Sequence, residues 1–493
     1  MKSFIQYLEQ SEEVGTVEEI MESIIYVRGL PGAHPNEVVV FESGQIGYIF
    51  TLNHDFAEVL LLSQDAVNIG TRVTRTNKSV QICVKDEDLG KTILLESSED
   101  TLLDLDDNPE ARIVDQQTAH FTERCKIEEP LETGVTLVDL IIPLGKGQRE
   151  LVIGDRKTGK TTFLLQTLRS QAQKGRICIY AAIAKPLLDI QLLKQFLINE
   201  KMNDQTIVVA SQAGSSPGLV FLTPYIAMTI AEYFRDQGKD VVLILDDLTT
   251  HARYYREIML LAKRFPGRSS YPGDIFYIHA RLMERAGNFQ KGSISCFPVA
   301  QSVLGDLSGY IQSNLMSMTD GHIFFDNDYF DQGRRPPIHA ALSVTRVGEQ
   351  TQSPLMKNLN RQLRSFLISY EKLKGFTHFQ TELGEDSQDV LDLGDRLVIF
   401  MDQLPDWIIP VRINAVLCAA IWTGFWRNIP LEQMKKELYE IVHEYKHKPE
   451  FTKEIDALVE ATKTFNELIT KVKEKQDLIF SQVKSLSLKI EQK

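Results

Sequence analysis

The chain of 493 residues has no uninterrupted apolar run long enough to cross a bilayer. Its best, Ala415 to Trp422, falls far short of the roughly 18 to 20 residues that a spanning helix needs. Any tie to a membrane is therefore expected to run through partners. Cysteine is scarce: Cys83, Cys125, Cys178, Cys296 and Cys418 lie far apart and form no CxxC pair. That spacing indicates neither a disulfide framework nor a zinc site, and reduced, buried thiols of a cytosolic compartment are the plain reading. Basic charge is not in excess either, since 54 Lys and Arg stand against 67 Asp and Glu for a net charge of −13. This balance disfavours nucleic acid as the main partner. The start, MKSFIQYLEQSEE, has no basic stretch followed by an apolar core, so no signal or transit peptide is read there.

What is present is the composition of an ordinary soluble globular protein, in a chain long enough for two or three domains. After a short polar, helix-like start (1–13), residues 14–78 alternate apolar and polar side chains in SIIYVRG, EVVVFE, QIGYIF and AEVLLLS, broken by Gly, Pro and Asn. This predicts a small β-barrel. An acidic, exposed connector is expected at about 95–115, around SSEDTLLDLDDNPEA. From Glu132 onward, apolar strand-like runs (ELVIG, ICIYAAI, QTIVVA, DVVLILDD) alternate with helical segments, which predicts a mostly parallel sheet covered by helices. From about Ser353 helical periodicity dominates, so 353–493 is read as a helical domain. Its last stretch, NELITKVKEKQDLIFSQVKSL, is taken as a packed bundle helix rather than a coiled coil.

The stretch GDRKTGKTT raises the central question. The spacing Gly154-x4-Gly159-Lys160-Thr161 is that of a P-loop, GxxxxGK[ST]. Glycines let backbone N–H groups face phosphates, Lys160 brings a positive charge, and the Thr161 hydroxyl can ligate magnesium. RELVI before it reads as a buried strand and FLLQTLRSQ after it as a helix, the context this motif requires. Asp155, Arg156, Lys157, Thr158 and Thr162 complete the candidate nucleotide loop. A second element, VVLILDDLTT, ends an apolar strand on Asp246 and Asp247, where a carboxylate can organise magnesium through water.

GQRELVIGDRKTGKTT resembles the nucleotide loop of the alpha subunit of rotary F-type ATP synthases, whose usual form is GQRELIIGDRQTGKT. The resemblance continues in order through AEYFRDQGKDVVLILDDL, FPGRSSYPGDIFYIHARLMERAG, GYIQSNLMSMTDGHIFFD and ALSVTRVG, and covers essentially the whole chain. It implies a β-barrel, a RecA-like P-loop domain over 79–352 and a helical C-terminal domain. It also implies ATP or ADP with Mg2+ as cofactors, and assembly of three alpha with three catalytic beta-type subunits around a central stalk, with a peripheral stalk as a possible further partner. Location at the cytoplasmic face of the cell membrane, as a peripheral subunit, follows from the same resemblance.

Hydrolysis needs a residue that activates water, and in the catalytic beta subunit this is a Glu after the strand that follows the P-loop helix. Here the strand is ICIYAAIAKPLLD and the corresponding position is Lys185, where alpha subunits usually have Gln within AIGQKRS. Neither Lys nor Gln suits a carboxylate's task, so the resemblance implies binding without efficient turnover. Arg346, in ALSVTRVGEQ, matches the arginine finger that reaches the neighbouring beta subunit's site. For the adenine, the resemblance points to Phe330, Arg335 and Pro336 in YFDQGRRPPI and to Gln403 in FMDQLPDW; a second glutamine is replaced by Pro405. TELGEDSQD, residues 381–389, matches an acidic loop that faces the rotating stalk.

Several departures mark a divergent member, of the standard synthase or of a variant or repurposed rotary ATPase. Lys157 replaces the usual Gln, only about a dozen residues precede the barrel, and LGKTILLESSEDTLLD stands where LGRVVNTLGAPIDG is usual. A self-sufficient RecA-like motor, of secretion-export or hexameric helicase type, is the alternative from another class. It would need a Glu near Lys185, and a helicase would also want a basic patch for RNA. A member that has lost nucleotide binding is opposed by the intact Gly154, Gly159, Lys160, Thr161 and Asp246.

Overall fold

The computed structural model describes residues 3–96, 103, 108–377 and 385–476. Part of the expected acidic connector, residues 381–384 of TELGEDSQD and residues 477–493 lie outside the described residues. Two compact units share the chain: Met1–Lys126, Gly147–Ile153 and Gln171–Asp320 form one, and Ile127–Lys146, Gly154–Ser170 and Gly321–Lys493 the other.

The alternating pattern of the N-terminal segment closes into a barrel. Strands β1 (Val14–Met21), β2 (Ile24–Arg28), β3 (Glu37–Phe41), β4 (Ile46–Leu52), β5 (Ala57–Leu61) and β6 (Arg72–Ser79) are linked in the closed order β1-β2-β5-β4-β3-β6. Side chains two apart share a face, so Ile25 with Val27, and Val39 with Phe41, fill the interior. The helix Phe4–Ser11, opened by a capping box at Ser3, packs on β6 and β3. Arg75 bonds Glu37 at 3.1 Å and Glu13 at 2.9 Å, tying β6 to β3 and to the segment after the helix.

The first unit also holds a parallel sheet of β7 (Thr92–Leu94), β8 (Glu150–Gly154), β9 (Ile177–Lys185), β10 (Thr206–Gln212), β11 (Asp240–Asp246) and β12 (Ser293–Gln301). Its order is β8-β12-β11-β9-β10-β7. The paired strands run in one direction, with β8 joined through the parallel Arg149–Cys296 bridge. Burial along β8, β11 and β12 is nearly continuous, as in strands covered on both faces. Helices Leu187–Asn199, Pro217–Asp236 and Leu248–Leu261 pack against the sheet. β7, just before the expected connector, forms an edge of this sheet; at three residues it is too short to carry a period in the sequence.

The second unit carries the helical C-terminal region. Helix Val411–Trp422, which contains the apolar run Ala415 to Trp422, is buried from Ile413 to Ile421 and packs against helices Glu385–Met401, Leu431–His447, Pro449–Glu460 and Phe465–Glu474. Trp422 meets Phe465 edge-on at 5.3 Å. The expected bundle packing of the final stretch thus holds over its described part, where Phe465, Leu468 and Val472 are buried. Among the described residues no helix is long and apolar enough to cross a membrane. The expectation of buried thiols fits Cys178, Cys296 and Cys418 but needs correction for Cys125, which is exposed, and for Cys83, which is half-buried.

Two buried polar groups anchor the first unit. Arg285, 1% exposed, bonds Glu232 through two nitrogens at 3.0 and 2.6 Å, the Val114 carbonyl at 2.8 Å and the Thr229 hydroxyl at 2.9 Å. Arg285→Met would leave the buried Glu232 with only the longer Arg235 pair, at 3.9 Å, and the Gln116 amide, and urea unfolding of the variant is expected to show a loss of up to about 3–5 kcal/mol. His251 and His279 meet at 3.0 Å; His251 Nε2–H donates to the Phe221 carbonyl at 3.1 Å, leaving Nδ1 to accept from His279. Burial pushes both imidazoles down, His251 to about 4. In the unfolded chain each takes a proton near pH 6.5. The stability that rests on neutral rings is therefore present above that pH and lost as pH falls toward 4. The urea midpoint is expected to drop over this window, and to drop less in His279→Phe.

Candidate nucleotide site

Strand β8 runs directly into the phosphate loop, and the helix Lys160–Ala172 begins on its lysine. At Gly154 a Cβ would stand 2.6 Å from both Cβ and the carbonyl oxygen of Phe325, so only glycine fits. Gly159 holds a φ of +91°, where glycine is at ease, and Lys157 one of +65°. The loop is internally braced: the Thr158 hydroxyl donates to the Asp155 carbonyl at 2.8 Å, and Asn327 Nδ2 donates to the Asp155 carboxylate at 2.5 Å. Lys160 is buried, its Nζ donating to the Gly154 carbonyl at 2.8 Å and to that of Asp155. Arg156, Lys157, Thr161 and Thr162 are exposed. A helix N-terminus preceded by such a loop, with a lysine at hand, can take a phosphate group.

The other polar cluster lies at the C-terminal ends of β9 and β11. These strands are neighbours, with Ala182 opposite Asp246. Between Ala182 and Lys185 the register with β10 shifts, and Ala184 takes a φ of +49°. Lys185 Nζ sits 2.8 Å from Asp246 Oδ1 and 3.9 Å from Asp247 Oδ2. The second oxygen of Asp246 accepts from the Tyr180 hydroxyl at 2.5 Å. Asp247 caps the helix Leu248–Leu261 through the Thr250 N–H at 2.6 Å, and its other oxygen accepts from Gln301 Nε2 at 2.6 Å. Burial alone would push the Lys185 ammonium down, but the two carboxylates outweigh it and raise its pKa, so the lysine stays charged. Tyr180, Gln301 and Asn327 were not singled out from the sequence. Their partners come from other segments, and no local pattern signals them.

The residues assigned to the base are gathered in the second unit. The Arg335 guanidinium lies 4.0 Å from the Phe330 ring centre and donates to the Phe330 carbonyl at 2.9 Å. Gln403 N donates to the Arg335 carbonyl at 2.7 Å. The Gln403 side chain is buried, however, and its amide accepts from Thr136 N–H at 2.9 Å and donates to the Gly134 carbonyl at 2.7 Å. Arg335 and Pro336 also line a cavity of about 380 Å³, together with Tyr329, His339, Glu371 and Met401.

Arg346 is exposed, on a turn that follows the short pairing of Gly321 with Thr345 and His322 with Val344. The turn is pinned: the Thr345 hydroxyl donates to the Pro143 carbonyl at 3.0 Å, and a Cβ at Gly348 would stand 1.6 Å from that same oxygen. Among the described residues Arg346 has no ion pair. Glu382, the acidic residue of TELGEDSQD before Glu385, lies outside the described residues.

Comparison with known proteins accounts for this arrangement. Residues 134–345 match the nucleotide-binding domain of the ATP synthase alpha/beta family, and residues 352–476 match the C-terminal domain of ATP synthase alpha/beta chains. The chain is 36% identical over 480 residues to ATP synthase subunit alpha of Aquifex aeolicus (strain VF5), covering 94% of this chain and 93% of that protein. It is 34% identical over 460 residues to the subunit of the same name from Carsonella ruddii (strain PV), with 90% and 94% covered. For that of Clostridium botulinum (strain Eklund 17B / Type B) the identity is 35% over 452 residues, with 90% of each chain covered. Taken with the barrel, the parallel sheet, the phosphate loop and the helical C-terminal region, these matches show that the chain belongs to the alpha-subunit family of F-type ATP synthases.

Proposed function

We propose that the chain is a component of an ATP synthase complex that holds ATP or ADP at its phosphate loop without turning it over, and that it supplies Arg346 to the catalytic site of an adjacent beta-type subunit. The observation that carries this reading is Lys185. Activating a water requires a group that can accept its proton, and the side chain at the end of β9 is an ammonium bonded to Asp246 at 2.8 Å. An ammonium that two carboxylates keep protonated cannot do so. The braced loop at Gly154–Lys160 favours retention of a phosphate chain. The exposed Arg346, on a turn pinned by Thr345, supports a role outside this chain.

The complex is proposed to contain three alpha-type and three beta-type subunits, a central stalk and a peripheral stalk, and to translocate protons or another ion at a membrane that this chain meets only through its partners. For the base, Phe330, Arg335 and Pro336 remain the proposed wall, while the amide of Gln403 is engaged with the Gly134–Thr136 backbone. For magnesium, the Thr161 hydroxyl is open, but both oxygens of Asp246 already have partners. Each of those oxygens has a second lone pair that can accept from a metal-bound water, so Asp246 remains the proposed magnesium residue, and no step is routed through the ion.

Purified alone, the chain is expected to bind ATP and release no phosphate; release abolished by Lys160→Ala would favour the self-sufficient motor. Assembled with its beta-type partner, Arg346→Ala is expected to lower ATPase by about 10³-fold or more, the usual worth of an arginine finger. Lys160→Ala is expected chiefly to release nucleotide from this chain, read as bound nucleotide per complex. Unchanged turnover in Arg346→Ala would remove the trans role.

A further inference from the structure

We propose that a cavity beside helix Pro354–Thr377, bounded by Lys357, Arg361 and Arg364, binds a doubly charged phosphate group, free or carried on a small organic molecule. It shares no residue with the phosphate loop or with the proposed wall for the base, and all its lining residues belong to the second unit.

Residues 357, 361 and 364 are four and three apart, which puts their side chains on one face of the helix. They line a cavity of about 340 Å³ together with Pro143, Glu349, Asn360 and Ile368. Glu349 is the one acidic residue of the lining, so three positive charges stand there against one negative. In a chain whose net charge is −13, that local excess marks a place suited to an anion. Nor are the cations neutralised by the chain. Among the described residues the side chains of Lys357 and Arg361 make no ion pair or hydrogen bond, and the half-buried Arg364 makes one long bond, from Nη2 to the Ser343 carbonyl at 3.4 Å. A guanidinium has five N–H donors, so Arg364 has given up part of its hydration for little in return. A phosphate group fits what is missing: its oxygens accept from arginine two at a time, and it carries about two negative charges at neutral pH.

The walls of the cavity are fixed in advance. Asn360, 5% exposed, donates through Nδ2 to the Leu140 carbonyl at 2.7 Å and the Ile141 carbonyl at 2.9 Å, which holds the helix to the segment that leads into Pro143. The Pro143 carbonyl is held in turn by the Thr345 hydroxyl, and Glu349 follows on the short helix Gly348–Thr351. A site ordered before its ligand arrives costs less to fill. Its volume is that of a small-molecule site, and Pro143 and Ile368 offer apolar surface to the body of an organic phosphate.

The test is calorimetric titration, in EDTA, of the full chain carrying Lys160→Ala, which separates this cavity from the phosphate loop. Inorganic phosphate and phenyl phosphate are the two probes. One equivalent is expected to bind with a dissociation constant of about 1 mM or lower. Adding Arg364→Gln, or Arg361→Gln at an exposed position where folding is not at stake, is expected to weaken binding about tenfold or more, the worth of a charge-assisted hydrogen bond. Lys436→Gln removes one charge from the exposed side of helix Leu431–His447 and is expected to change affinity by less than about twofold. Tighter binding of phenyl phosphate assigns the site to an organic phosphate, and equal binding assigns it to the free ion. Absence of binding would overturn the inference, as would equal weakening by Lys436→Gln and Arg361→Gln. Wild-type binding that vanishes entirely with Lys160→Ala would overturn it too, while leaving the nucleotide-holding reading in place. If Lys160→Ala does not fold, the wild-type chain decides: Arg361→Gln removes one of its phosphate sites, or the inference fails.

Discussion

Continuous burial of the parallel strands is the constraint on which the rest depends. A strand whose side chains are all apolar has no place for a charge along its length, so polar groups are confined to where the strands stop. Leu151, Val152 and Ile153 are fully buried, and the next residues form the phosphate loop. Val241 to Leu245 are likewise buried, and the next two residues are Asp246 and Asp247. Because β9, β11 and β12 run in one direction, Lys185, Asp246 and Gln301 all end at the same edge. The cluster at that edge follows from a topology that keeps charge at the strand ends, as Glu150 and Asp240 do at the opposite ends.

What the sequence made legible is what is local in the chain. The phosphate loop could be read because strand, glycines, lysine and helix follow one another within a short segment, and the barrel because its strands alternate side chains at period two. The long helices were visible through their periodicity. By contrast, the bond between Lys185 and Asp246 depends on the neighbouring positions of β9 and β11, separated by 61 residues. The orientation of the Gln403 amide depends on a bond to Thr136, across 267 residues. A residue's kind can be read from a sequence, but its partner at that separation is set by register and packing.

The same distinction explains how the family resemblance and the local chemistry divide the work. Similarity along most of the chain identifies the family, yet two positions, Lys185 and Pro405, depart from its pattern. At Lys185 the departure has a physical outcome, a buried ion pair that keeps an ammonium charged. At Pro405, which is exposed, nothing in the structure explains the substitution.

The turn that carries Arg346 has a thermodynamic consequence. Its backbone is fixed by Thr345 and by the approach of Gly348 to the Pro143 carbonyl before any neighbour arrives. Conformational entropy that a free loop would lose on association, about 1–2 kcal/mol for every backbone residue ordered, has already been lost in folding. What remains to be immobilised is one guanidinium side chain, with about 2 kcal/mol of rotamer freedom. Any contact that Arg346 made with a neighbour would therefore order and free a side chain and leave the backbone unchanged.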